Sequence, residues 1–242
     1  MTINPPVKSV TRIAGTIQGY KATRQAASFV FTDRDTTSLG VVAIAAGVAG
    51  LGGQAVSAAS HATSVEEDAD FVEFALDGIS VKGWVWRSPF GEGDQVEVVG
   101  ELQGQAMNAI AIARPSDRTV ALYPHCSRGR TRHIKNAIKW WLYLTMFFVC
   151  VPLGFLLLAG STQRLADAWS EGGDLVALGV AAFFGLMNFS LARRWMPFVT
   201  LAEKAFAAFG WDKPGDIDLA RATKASRRTG DPGELGTFYF RY

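Results

Sequence analysis

The feature that most constrains this chain is an uncharged run of about 20 residues, from Trp140 to Gly160. A helix rises about 1.5 Å per residue, so such a run spans the roughly 30 Å hydrocarbon core of a bilayer. Helices of water-soluble proteins rarely stay uncharged for so long, and the run therefore predicts a transmembrane helix. Trp141 and Tyr143 stand where an interfacial aromatic belt is expected, and Pro152 predicts a kink.

A second uncharged run, Leu175 to Ala192, ends at Arg193 and Arg194. Its length is near the lower end of the roughly 17 to 25 residues that a span needs. Asn188 lies either within the bilayer, hydrogen-bonded between helices, or close to the helix end with its amide at the interface. Small residues at helical spacing predict that another helix approaches closely: Gly179, Ala182 and Gly185.

Basic residues flank the two runs, and acidic residues occupy the loop between them. The positive-inside rule places both termini in the cytosol and the loop from Ser161 to Asp174 outside. The N-terminus lacks the apolar core of a signal peptide, which agrees with a cytosolic N-terminal domain. Because anionic headgroups attract basic side chains, we expect membrane lipids to contact Arg128, Arg130, Arg132, Lys135, Lys139, Arg193 and Arg194.

The segment from Leu39 to Ala59 is also uncharged, but its side chains are small and it contains five glycines. Each glycine inside a helix costs about 1 kcal/mol relative to alanine. Three interpretations compete: a third span, a helical hairpin packed on protein or membrane, and a flexible insertion. A third span would separate strands expected to share one sheet, so we favour a helical Ala/Gly insertion at residues 37–60. Its rows of small residues suit self-association as a homo-oligomer.

Two-residue alternation of apolar side chains predicts strands from Arg12 to Phe31 and from Phe71 to Tyr123. Asp77-Gly78 is a two-residue hairpin turn of the type that accepts positive φ at both positions. It predicts the facing pairs Leu76–Ile79 and Phe74–Val81. A second turn is predicted at Gln103-Gly104, with Val96, Val98 and Leu102 sharing one face of the preceding strand.

Short strands with a turn about every ten residues are typical of a small barrel or open sandwich. The strand order resembles an oligonucleotide-binding (OB) fold with one long insertion. We therefore predict an α+β membrane protein: an N-terminal, small, OB-like antiparallel β-barrel with its helical insertion, then two transmembrane helices and an amphipathic C-terminal helix. The predicted parts are a cytosolic β domain (1–127), a basic juxtamembrane linker (128–139), a transmembrane hairpin (140–192) and a cytosolic helix and tail (193–242).

The C-terminal region begins with an amphipathic helix, predicted by the spacing of apolar residues between Pro197 and Phe209. This helix lies either on the inner face of the membrane or against the β domain. The aromatic residues of the final GTFYFRY predict an added edge strand.

Charge gives no support to nucleic-acid binding. The net charge is +2, from 24 basic and 22 acidic residues, and both signs surround the tryptophans of the β domain. Trp84 and Trp86, predicted to be exposed, and the neighbouring Arg87 are instead expected to bind a protein partner, because aromatic residues and arginine are favoured interface anchors.

No motif in the chain predicts catalysis, a metal or a cofactor. His125-Cys126 precedes the basic stretch, but the three histidines and two cysteines lack the spacing of a zinc site. We therefore interpret residues 123–126 as a linker from barrel to membrane. The acidic run from Glu66 to Asp68 is expected to be a solvated strand start. We expect the protein not to be an enzyme.

Three stretches are similar to a family of bacterial type VI secretion system effectors: GTIQGYKATRQAASFVFT, DFVEFALDGISVKGWVWRSPFGEGDQVEVVG and ARPSDRTVALYPHCSRGRTRHIKNAIKWW. They cover roughly residues 12 to 141. The resemblance implies a role in interbacterial competition, as a toxin or its associated protein. Together with the uncharged runs and the lack of a catalytic motif, it leads us to expect a non-enzymatic, multi-pass protein of the bacterial inner membrane that acts by membrane perturbation or by partner binding. The alternative is a membrane-anchored adaptor whose β domain binds a cytosolic protein.

Overall fold

The computed structural model describes residues 10–27, 29, 67–158, 163, 166–167 and 169–242. The chain divides into two compact units, one of Met1–Gly129 with Pro197–Tyr242 and the other of Arg130–Met196. We call them the β domain and the helix pair. The insertion predicted at residues 37–60 lies outside the described residues.

The β domain is built on seven strands, numbered in chain order: β1 Val10–Ala27, β2 Glu67–Leu76, β3 Ile79–Val85, β4 Gln95–Gln103, β5 Ala106–Arg114, β6 Thr119–Leu122 and β7 Phe240–Arg241. The first five close into a barrel because β1 pairs with both β2 and β4, and β3 pairs with β5. The β3–β5 pairing is parallel, whereas the sequence predicted an antiparallel domain. β6 and β7 continue the sheet from the outer edge of β5.

The predicted hairpin at Asp77-Gly78 is confirmed. β2 and β3 pair antiparallel with Leu76 opposite Ile79 and Phe74 opposite Val81. Asp77 and Gly78 have φ of 49° and 87°, as a two-residue turn with positive φ at both positions requires.

The turn predicted at Gln103-Gly104 is displaced by one residue. Gln103 still pairs with Ala106, so the turn is Gly104-Gln105. A bulge between Val99 and Gly100 shifts the register in the middle of β4. The bulge interrupts the alternation of side chains between the two faces of β4. Val96 and Val98 are therefore buried as predicted, but Leu102, which follows the bulge, is 41% exposed.

Two hydrophobic clusters form the core of the β domain. The first fills the barrel interior with alternate side chains of β1 to β5, among them Val72, Val81 and Ile112. The second covers the outer side of β4 to β6 with the C-terminal part of a long helix, where Phe198, Ala205 and Phe206 are buried. The predicted amphipathic helix therefore packs on the β domain, which was one of its two expected positions.

The C-terminal tail completes this domain. After a short helix, Leu219–Ala225, the chain places Leu235 and Tyr239 in the interior cluster. Phe240 then pairs with Val120 in β6, which confirms the predicted edge strand. Arg241 donates to both carboxylate oxygens of Asp231 at 3.0 Å, which links two parts of the C-terminal tail.

The helix pair contains two long helices, which we number α1 (Arg130–Leu158) and α2 (Asp174–Ala208); α2 continues into the β domain beyond Met196. They run antiparallel, since His133 Nε2 lies 3.0 Å from the carbonyl of Ala192 and Trp141 Nε1 donates to the carbonyl of Ala181 at 3.0 Å. The stretch predicted as a linker (128–139) is helical from Arg130 onward.

Candidate functional sites in the helix pair and the β domain

The helices α1 and α2 are both long and apolar enough to cross a membrane, and their apolar windows are not buried within the protein. Phe155 is 76% exposed and Leu186 is 72% exposed. Exposed apolar patches of this extent are typical of surfaces that contact another protein or a membrane. The exposed apolar side chains include Trp140, Met146, Phe147, Val151, Phe155, Leu158, Leu175, Leu178, Phe183, Leu186 and Phe189.

One of the three predicted small residues lies at the contact between the helices. A Cβ built on Gly185 would lie 3.3 Å from Nε1 of Trp141, so a larger residue would require the indole to shift by a few tenths of an ångström. Gly179 has open space around it, and Ala182 is exposed. The indole of Trp141 therefore fixes the approach of the two helices at Gly185.

The charged residues of the helix pair collect at its two ends. Exposed basic side chains lie at the start of α1 and beside Ala192 in α2, where His133 joins the helices: Arg130, Lys135, Lys139, Arg193 and Arg194. Asp167, Glu171 and Asp174 lie in the segment preceding α2 and at its first residue. Arg128 was predicted to contact lipid headgroups together with these basic residues. It belongs instead to the β domain, where it forms an ion pair with Asp218 at 3.2 Å.

The two tryptophans proposed as exposed anchors are only half-exposed. Trp84 packs with its ring 5.1 Å from Phe71 and 5.5 Å from Phe29. Trp86 packs 4.8 Å from His125 and 5.6 Å from Phe238. Both indoles therefore serve as packing groups inside the domain, and each keeps part of its surface exposed.

The third proposed anchor, Arg87, is also engaged within the domain. Its guanidinium pairs with Glu234 at 3.2 Å, with both side chains more than a third exposed. Exposed pairs of this kind contribute little to stability, so a partner could replace Glu234 at small cost.

His125 and Glu67 meet in a half-buried position that sequence reasoning missed. His125 Nε2 lies 2.8 Å from Oε2 of Glu67, and the imidazole packs against Trp86 and Phe198. Burial lowers the pKa of His125, while the Glu67 carboxylate opposes that shift. The His125 backbone has φ of 67°, which is uncommon outside glycine and is maintained here by the surrounding contacts.

The neighbouring Cys126 is completely buried, and burial raises the pKa of its thiol. A thiol in such surroundings stays protonated and unreactive. Among the described residues no group of three histidine, cysteine, aspartate or glutamate side chains has the geometry of a metal site. Residues 123–126 thus link the barrel to α1 and also contribute buried side chains to the core.

A polar network fixes the loop between β3 and β4. Ser88 bonds to the hydroxyl of Tyr20, and its N–H donates to Asp70 at 2.9 Å. Arg114 bonds to Asp94 and Asp117, each at 2.7 Å. Burial raises the pKa of Tyr20, so its hydroxyl stays protonated at neutral pH. These bonds stabilise the loop.

No family model matches this chain, and no curated protein or solved structure matches it either. The resemblance to type VI effectors therefore stays a prediction from the sequence.

Proposed function

We propose that the protein is a non-enzymatic membrane protein in which α1 and α2 form a transmembrane hairpin that anchors a partner-binding β domain to one face of the membrane. The observation that supports this proposal best is the pair of bilayer-length helices whose apolar side chains face outward. Burying such side chains gains roughly 25 cal/mol per Å² of apolar surface, and lipid supplies that burial.

The two chain segments that form the β domain support a transmembrane hairpin over a single span. The domain is made of residues before Gly129 and after Pro197, so both flanks of the helix pair belong to one folded body. Because that body occupies one side of a bilayer, the chain must cross and return. The pairing of Ala27 with Glu67 likewise supports an arrangement in which both ends of the segment between β1 and β2 lie on one side. With the positive-inside rule, we assign this side to the cytosol. The resemblance to bacterial type VI effectors supports the bacterial inner membrane as the membrane.

For the β domain we propose an OB-like barrel that binds its partner on the outer surface. The order β1-β2-β3-β5-β4-β1, with β3 parallel to β5, supports this assignment. Side chains fill the interior, which leaves the outer wall for binding. There Phe71 and Trp84 form a half-exposed aromatic pair on β2 and β3. Aromatic pairs of this kind are favoured anchors for a cytosolic protein partner.

The natural thiols offer a direct test of the anchor. Cys150 is exposed in the C-terminal half of α1, midway along the uncharged run from Trp140 to Gly160, whereas Cys126 is buried. In sealed membrane vesicles, a charged maleimide should leave Cys150 unmodified and should modify it after the membrane is dissolved in sodium dodecyl sulfate. As controls, Asp167→Cys and Arg228→Cys should react from opposite sides of intact vesicles. Fast modification of Cys150 in intact vesicles would contradict the proposal.

A second version of the function follows from the resemblance to type VI effectors, in which the protein perturbs the membrane of a competing bacterium. To test this version, the full chain and a variant lacking residues 39–59 are expressed in bacteria, and the membrane potential and growth of the cells are recorded. Loss of potential with the full chain alone supports this version. Unchanged potential and growth with both chains removes it and leaves the anchored partner-binding role.

A further inference from the structure

We infer that the basic end of the helix pair binds the phosphate groups of anionic lipids and selects them over zwitterionic lipids. We call this end the basic collar, formed by Arg130, Arg132, Lys135, Lys139, Arg193 and Arg194. The inference rests on the proposed transmembrane hairpin and adds the lipid class that the hairpin prefers.

The contact between the helices gathers charges that are distant in sequence. His133 of α1 touches the carbonyl of Ala192 in α2, so Arg132 and Arg193 each lie one position from this contact. The only acidic residues between positions 130 and 196 are Asp167, Glu171 and Asp174, and they belong to the loop side of the hairpin. Six basic residues therefore lie toward one end of the helix pair, and the acidic residues between positions 130 and 196 lie toward the other.

The aromatic residues next to the basic collar determine how deep the collar lies in the membrane. Lys139 Nζ lies 5.3 Å above the ring of Tyr143, and Trp140 packs edge-on against the same ring at 6.2 Å. Tryptophan and tyrosine favour the headgroup level of a membrane. Lysine and arginine extend their apolar stems along the helix and place the charge further toward water, at the level of lipid phosphates.

The collar chemistry fits a phosphate diester. Arg193 and Arg194 are both exposed, and a guanidinium donates two parallel hydrogen bonds to phosphate oxygens. Each basic residue close to an anionic membrane surface strengthens binding about fivefold at low salt. Zwitterionic headgroups carry the same phosphate next to a cation, which cancels most of this attraction.

The test uses the full chain reconstituted in vesicles of phosphatidylglycerol and phosphatidylcholine, with one lipid at a time carrying brominated acyl chains. Bromine quenches the exposed Trp140 when the labelled lipid lies against the helix pair, so the two series give the relative association of the two lipids. We expect phosphatidylglycerol to associate more strongly. The variant Arg193→Gln with Arg194→Gln should lose about fivefold of this preference for each charge removed.

Arg227→Gln with Arg228→Gln removes a matched, exposed pair from the tail of the β domain and should leave the preference unchanged. Equal association of both lipids with the natural chain would overturn the inference and leave the transmembrane hairpin intact. Absence of quenching by either lipid would overturn the hairpin itself. Loss of the preference in sodium phosphate, but not in sodium chloride of equal ionic strength, would show a site for free phosphate and overturn the lipid assignment.

Discussion

Nε2 of His125 lies 2.8 Å from Oε2 of Glu67, which joins the loop after β6 to the first residue of β2. Phe198, at the point where α2 enters the β domain, packs against the same imidazole with ring centroids 5.2 Å apart. The pair therefore holds together three parts of the domain that are distant in sequence. Because burial lowers the pKa of His125 from its usual 6.5, the imidazole is neutral at neutral pH.

We predict that acid destabilises the β domain through this histidine. The unfolded chain takes up the proton near pH 6.5, whereas the folded chain takes it up only at a lower pH. The contribution of His125 to the free energy of unfolding is complete above pH 6.5. It decreases as the pH falls below 6.5, until the lowered pKa of the folded state is passed. Thermal unfolding of the full chain in detergent, followed by tryptophan fluorescence between about pH 8 and pH 5, measures this decrease.

Variants separate this effect from general acid unfolding. His125→Gln removes the titrating group, so the free energy of unfolding should depend less on pH below 6.5. Glu67→Gln removes the carboxylate that opposes the shift, so the acid-induced loss should become larger. An unchanged profile in His125→Gln would contradict the prediction.

The local features of the barrel could be predicted from the sequence, and its closure could not. The Asp77-Gly78 turn fixes the register of β2 and β3 through neighbouring residues alone, and that register is as predicted. The parallel pairing of Gly83 with Ala109 joins strands whose contact depends on the curvature of the whole sheet. The bulge after Val99 likewise depends on the curvature of the whole sheet. It explains why the prediction that Leu102 shares a face with Val96 and Val98 was wrong.

The candidate sites also combine features that could be predicted from the sequence with features that could not. The uncharged runs predicted α1 and α2 because length and charge are properties of a single segment. The exposure of Trp84 and Trp86 was overestimated because the rings that cover them come from other parts of the chain, such as Phe29 and Phe238. The partner of His125 was missed for the same reason, since Glu67 belongs to an acidic run that by itself indicates only a solvated strand start.

Closure of the barrel requires glycine at position 83. A Cβ at this position would lie 2.6 Å from the carbonyl oxygen of Ala109 and 2.9 Å from its Cβ. Gly83→Ala should therefore push β3 away from β5 and lower the free energy of unfolding by about 1 to 3 kcal/mol. Chemical unfolding of the detergent-solubilised chain measures the change. Gly91→Ala, which has no atom within 4 Å of the added Cβ, is the control, and equal stability of the two variants would refute this explanation.

Phe206 ties the C-terminal part of α2 to the barrel. Its side chain is completely buried, and its ring stacks 5.4 Å from Trp211. Phe206→Ala should destabilise the β domain by about 3 to 5 kcal/mol, because the lost burial is accompanied by a cavity. Denaturant unfolding followed by tryptophan fluorescence measures the loss. Phe155→Ala, at a side chain 76% exposed on α1, should change it little. A mild effect of Phe206→Ala would mean that the helix is not part of the folded domain.

Trp141 and Gly185 determine how closely the two long helices approach. A Cβ at position 185 would lie 3.3 Å from the indole nitrogen, which donates to the carbonyl of Ala181 at 3.0 Å. Gly185→Val should displace the indole, lengthen that hydrogen bond and weaken helix association by about 1 to 3 kcal/mol. Gly179→Val adds the same atoms where nothing lies within 4 Å, so it is the matched control. Near-ultraviolet circular dichroism during titration of sodium dodecyl sulfate into mild detergent follows the aromatic contacts of the pair. Gly185→Val should lose this signal at a lower fraction of sodium dodecyl sulfate than Gly179→Val, and coincident transitions would exclude the Trp141–Gly185 contact as the determinant of packing.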